Sequence, residues 1–212
     1  MAARSPKNSS APTTLAASMQ EPFQMQVALL RGINVGKAKR ISMAELKALF
    51  ESLGYLNVRT LLNSGNVVFG VTRAEADGAS FDAEWPAVDP GPLELAIQAH
   101  TGVSCKVIVL TAGDLKGLMA ENTLQDVATD PSRLMVHVLT HPSLTTRLAP
   151  LAGQDWGADK LVLGTRVAIA WCANGILESP LIPAMTRVLK DNVTARNWST
   201  MLKLAAMVTG EA

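Results

Sequence analysis

The chain has 212 residues, 48% of them hydrophobic, and 19 Lys and Arg balance 18 Asp and Glu to a formal charge of +1. A near-neutral total excludes a generally basic nucleic-acid coat, and the length fits one large domain or two small ones. No apolar run reaches 18 residues, so no transmembrane helix is expected. Two cysteines, Cys105 and Cys172, are too few for a disulfide framework and read as small buried thiols in apolar stretches.

Residues 1–24 are rich in Ala, Ser, Thr and Pro, a composition too poor in apolar surface to offset its ordering entropy, and are expected to be disordered. Pro6, Asn8, Ser9 and Pro12 interrupt the apolar run that a secretory signal needs, so a cytoplasmic location is expected, and Met25 is a candidate natural start. From Val27 short apolar runs alternate with helical periodicity. Val27–Leu30 reads as a buried strand. Ser42 is an N-cap with Glu45 three residues on, followed by Met43, Leu46, Leu49, Phe50 and Leu53 at helical spacing. Val58–Leu62 and Val67–Val71 flank Asn63-Ser64-Gly65-Asn66, a turn composition, and should form a hairpin. A helix over Leu93–Ala99 and a strand over Cys105–Leu110 complete βαββαβ, the split βαβ order of ferredoxin-like folds.

A polar stretch, Asn122 to Ser132, separates this half from a second that partly repeats it. That second half reads as a strand at Leu134–Leu139, a helix at Leu144–Leu151, strands at Leu161–Leu163 and Val167–Trp171, and helices from Leu181 and Trp198. The expected organisation is therefore a tail over 1–24 and two α+β halves, 25–121 and 122–212. Each is an antiparallel sheet with helices on one face.

Charge is uneven along this frame. Residues 25–60 hold six basic and two acidic residues, 61–130 three and ten, and 131–212 eight and five. A phosphate-bearing ligand would be drawn to the first strand-loop-helix and to the second half.

Three polar segments carry chemistry. Arg31-Gly32-Ile33-Asn34-Val35-Gly36-Lys37 is a glycine-containing loop after the first strand, able to turn amides, a guanidinium and an ammonium towards an anion. It is not a Walker A loop, because three residues separate its glycines and Ala38 follows Lys37. Ser64 and Asn66 at the hairpin tip, and Arg196 and Asn197 before the last helix, are the other donors. Asn197 also suits an N-cap.

These segments resemble the bacterial domain of unknown function 1697 family, with Leu29–Gly36 matching its LLRGINVG opening, Ser64–Phe69 its SGNVVF and Thr194–Leu204 its TARNW ending. The resemblance spans residues 25–208. It departs at Lys37, where a second glycine is usual, and at Asn63, where glutamine is common. It implies a pair of ferredoxin-like halves and no particular reaction or catalytic residue.

The motifs are rich in Arg, Asn, Ser and Thr and poor in groups that act as general bases or metal ligands. The leading expectation is an anionic, phosphate-bearing small molecule or nucleotide held by Arg31, Asn34, Lys37, Ser64, Asn66, Arg196 and Asn197, with no cofactor and no metal. Two alternatives stand beside it. One is an acylphosphatase-like hydrolase using Arg31, the Gly32–Lys37 amides and Asn66. The other is a structural or interaction module whose polar motifs only cap and turn the backbone. Nucleic acid is weakly supported, since nine aromatics leave few to stack bases. His137 and His141 fall on a strand and a turn, which does not suit a shared metal.

Overall fold

A computed structural model describes residues 23–34, 40–72 and 86–210. The first sheet has the order β2-β3-β1-β4, from β1 (Phe23–Leu30), β2 (Leu56–Leu61), β3 (Asn66–Thr72) and β4 (Val107–Thr111). All its pairings are antiparallel. The second repeats that order as β6-β7-β5-β8, from β5 (Leu134–Leu139), β6 (Lys160–Leu163), β7 (Val167–Trp171) and β8 (Val193–Asn197). One sheet is drawn from residues 23–111 and the other from 134–197, on either side of the polar stretch.

Two elements went unread in the sequence. Strand β8 is short and largely polar, so Thr194, Arg196 and Asn197 read as the approach to a helix rather than as a strand pairing with β5. Helix α3 (Ala112–Ala120) carries two glycines and weak periodicity. Its start is nonetheless encoded in a capping box, with Asp114 N–H donating to Thr111 Oγ1 and Thr111 N–H to the Asp114 carboxylate. The tail boundary also shifts. Strand β1 begins at Phe23, inside the segment expected to be disordered, because Phe23 and Gln24 pair with Thr72 and Val71. Residues 1–22 lie outside the described residues.

Three apolar layers hold the halves. Ala28, Leu30, Val67, Phe69 and Val107 face α1 (Met43–Ser52) and α2 (Pro90–Thr101), where Leu46, Phe50, Leu93 and Ile97 are buried. On the far side, Leu139, Ala168 and Ala170 meet α4 (Leu144–Ala152) and α5 (Leu181–Leu189) through Leu148, Leu181 and Met185. The remaining faces are turned together. Val27, Leu29, Val68 and Leu110 of one sheet share a core with Val136, Val138, Val167 and Ile169 of the other. Helix α6 (Trp198–Thr209) packs against β1 and β3 as well as β5 and β8, and α3 packs on α6. The ferredoxin-like halves therefore carry helices on their outer faces and bury their inner faces in common.

Cys105 and Cys172 are free and buried. No helix among the described residues is long and apolar enough to cross a membrane.

Candidate functional site

Three motifs far apart in sequence meet where the first sheet's hairpin touches β8. Arg196 lies at the centre, 8% exposed. Its Nη2 donates to Leu30 O at 2.8 Å and Ser64 O at 2.9 Å, its Nη1 to Thr194 Oγ1 at 2.9 Å and Ala195 O at 2.8 Å, and its Nε to Asn66 Oδ1. All of these acceptors are neutral. Burial without a carboxylate pushes the guanidinium down to about 10, so it stays charged at neutral pH.

The other motif side chains are similarly occupied. Asn66 is fully buried and donates to Leu61 O and Ser64 Oγ. Asn34, with a positive φ of 57°, donates from Nδ2 to Ile41 O at 2.9 Å and Asn63 O at 2.8 Å and accepts from Ile41 N–H, stapling the ends of its loop to the hairpin. Asn197 caps α6 by accepting from Thr200 N–H and Oγ1. Gly65, at φ 76°, fits where a Cβ would stand 2.7 Å from Leu30 Cβ and 2.8 Å from Ile33 Cδ1. The convergence of the motifs is a hydrogen-bonded clasp between the halves.

Arg31 is the motif side chain that lines a cavity, one that Ser64, though exposed, does not border. Its Nη1 donates to Val193 O at 2.7 Å and its Nε faces Asp191 Oδ1 at 3.4 Å, while 29% of the side chain stays exposed. With Gly32 it borders a cavity of about 830 Å³ lined also by α2 and the approach to β4, including Glu94, Gln98, Ser104 and Lys106, and reached from the second half by Asp191. Arg31 N–H donates to Lys106 O at 2.8 Å, so these two side chains stand on neighbouring strand ends. Lys106 pairs with Glu94 at 2.8 Å, which raises the ammonium above its ordinary value. A second lobe of about 470 Å³ shares Glu94, Lys106 and Asp191 with the first and continues past Thr140 and His141 to Arg166. Together they form one groove along the junction. Lys37 lies outside the described residues.

The two histidines separate. His141 is exposed in the groove. His137 is buried among the residues facing α4 and α5, its Nδ1 without a hydrogen-bond partner; burial, aided by the nearby Arg31 charge, pushes it down to about 4. Among the described residues no three His, Cys, Asp or Glu side chains are grouped to hold a metal.

A family model described as "Protein of unknown function (DUF1697)" matches residues 23–168. The chain belongs to this family. That span takes in the Arg31 loop and the hairpin, while Arg196 reaches both from beyond it. The solved structure of a conserved bacterial protein, SP0830 from Streptococcus pneumoniae, is similar in fold, with a TM-score of 0.66 at 21% identity, covering 89% of this chain and 99% of that one. No curated protein matches the sequence.

The groove's second wall was not legible beforehand. Glu94 lies within α2, Lys106 and Arg166 just before β4 and β7, and Asp191 just after α5, and no local motif marks them.

Proposed function

We propose that this protein binds a small anionic, phosphate-bearing ligand in the groove between its halves, with Arg31 as the motif residue that contacts it. The single observation that carries this reading is the division of labour between two arginines. Arg196 is buried and bonded throughout to protein oxygens, whereas Arg31 is anchored at Nη1 and Nε and borders a wide cavity beside Gly32. A guanidinium held by part of its donor fork is already oriented to offer the rest to an oxyanion.

On this reading Asn34, Ser64, Asn66, Arg196 and Asn197 serve the ligand indirectly, by fixing the loop and the β8 edge that carry Arg31 and its anchor. The groove is charge-balanced, with Arg31 facing Asp191 and Lys106 facing Glu94, which favours a small ligand of few charges over a polyanion such as nucleic acid. The hydrolase alternative needs Asn66 at the phosphoryl group, and that side chain is spent inside the clasp.

Thermal-shift measurements on the full chain with inorganic phosphate, nucleotides, acyl phosphates and short oligonucleotides test the proposal. At about one hundred times Kd a ligand stabilises by about 2.7 kcal/mol, a shift of several degrees. The shift should vanish in Arg31→Ala. If no anion moves the melting temperature, the reading is wrong; turnover of an acyl phosphate by the pure protein would replace it with the hydrolase.

A further inference from the structure

The groove has a second cationic anchor, and the two are set apart by the geometry of the sheet. Arg166, in the turn between β6 and β7, borders the far lobe. Its Nε donates to Leu139 O at 2.9 Å. Arg31 is anchored on Val193 O. Leu139 and Val193 are register partners on the adjacent antiparallel strands β5 and β8.

That register fixes the spacing. Thr140 N–H donates to Asn192 O, so 140 and 192 form a hydrogen-bonded pair and 139 and 193 a non-hydrogen-bonded one. In such a pair the Cα atoms are about 4.5 Å apart and the carbonyls point away from each other. Leu139 accordingly faces β7, its N–H donating to Arg166 O at 3.0 Å, while Val193 O lies on the outer edge of the sheet. The two anchoring oxygens are therefore about 8 Å apart, and the guanidinium groups, at 2.7 and 2.9 Å from them, on the order of 10 Å or more. Asp191 borders both lobes, and Thr140 and Asn192 border the far one between the anchors.

Arg166 also differs from Arg31 and Lys106 in having no carboxylate within ion-pair distance among the described residues. Three acids line its lobe, Asp89 accepting from Gly91 N–H, Glu94 paired with Lys106 and Asp191 with Arg31, and on its other side the Asp114 carboxylate accepts from Thr111 N–H and that of Glu121 from Thr165 N–H. An arginine outside any ion pair keeps its remaining donors available to an anion.

From this arrangement we infer that the groove takes an elongated ligand with two anionic groups about 10 Å apart, one on Arg31 and one on Arg166. The inference rests on the proposed groove reading and adds a length and a second charge to its ligand. A lone phosphate satisfies one anchor only. A polyanion would bring more charge than this balanced groove accommodates, so two terminal anions joined by an uncharged or weakly charged spacer fit best.

Isothermal titration of the full chain with hexane-1,6-bisphosphonate, whose extended chain separates its phosphonates by about 9 Å, and with hexylphosphonate as the one-anion control, tests this directly. The bisphosphonate should bind at least about tenfold more tightly, through one further charge-assisted contact. Arg166→Ala should abolish that gain, bringing the bisphosphonate to the affinity of hexylphosphonate, and Arg166→Gln, which keeps much of the stem, should do the same if the alanine variant folds poorly. Arg31→Ala should weaken both compounds. Equal binding of the two compounds, or equal weakening of both by Arg166→Ala, overturns the second anchor while leaving the groove reading intact. Binding of neither compound overturns both.

Discussion

Replacing Arg196 with alanine removes the donor on which the clasp depends, and the cost can be worked from its contacts. Three close acceptors of the first half, Leu30 O, Ser64 O and Asn66 Oδ1, lose a charged donor, and Gly65 O loses a longer contact at 3.3 Å. Hydrogen bonds from charged groups contribute about 1.5–3 kcal/mol each, roughly 6 kcal/mol for the three. Against this stands the desolvation of the guanidinium, whose fall from 12.5 to about 10 corresponds to about 3 kcal/mol that the variant no longer bears. The expected net loss is about 3 kcal/mol, or a fall in Tm of roughly 6–12 °C for a domain of this size. Thermal and urea unfolding followed by circular dichroism would measure it. Arg196→Lys should recover less than half, because one ammonium cannot span acceptors that a planar fork reaches together. A Tm for Arg196→Ala within about 2 °C of the parent would refute the reasoning.

Other perturbations test separate parts of the structure. His137 binds its proton less readily in the native state than in the unfolded one, so its contribution is fully present above about pH 6.5 and is lost as pH falls through about 4. Between pH 7.5 and 5 this amounts to about 2 kcal/mol, and urea titrations should show that part of the acid sensitivity disappear in His137→Leu. Gly65→Ala combines a positive φ with a clash against Leu30 and Ile33 and should cost more than about 2 kcal/mol; Gly32→Ala, with nothing near its Cβ, should cost only about 1 kcal/mol, a contrast that paired melts would reveal. Ser179→Ala deprives the buried Asp159 carboxylate of the hydroxyl that donates to it at 2.6 Å, so a loss of about 1–3 kcal/mol is expected in chemical denaturation.

The legible parts of the fold were those that local physics specifies. Ser42 with Glu45, the periodic Leu46, Leu49 and Phe50, and the Asn63–Asn66 turn each declare their element within a few residues. Strand β8 failed that test because its strand character comes from pairing with β5 and from side chains answered by the other half. The same distance effect divided the motif residues. Arg31, Ser64, Asn66 and Arg196 look alike as isolated donors, and only tertiary contacts separate the arginine buried in the clasp from the one at the groove. Lys106 and Arg166 carry no motif at all; they acquire interest from the strand ends opposite them.

Helix α6 has a consequence for how the molecule comes into being. It fills the space between the two sheets, yet residues 198–209 follow in the chain everything they cover. During synthesis the first sheet can close on α1 and α2 while Val27, Leu29, Val68 and Leu110 have only α3 to cover them, leaving much of a sticky apolar face awaiting a partner not yet translated. Bonds such as Arg31 to Val193 and Arg196 to Asn66 bridge 162 and 130 positions, so their loop-closure cost falls late on the folding path. The ribosome-bound nascent chain is therefore the stage at which this protein is most exposed to aggregation and most in need of chaperone shielding.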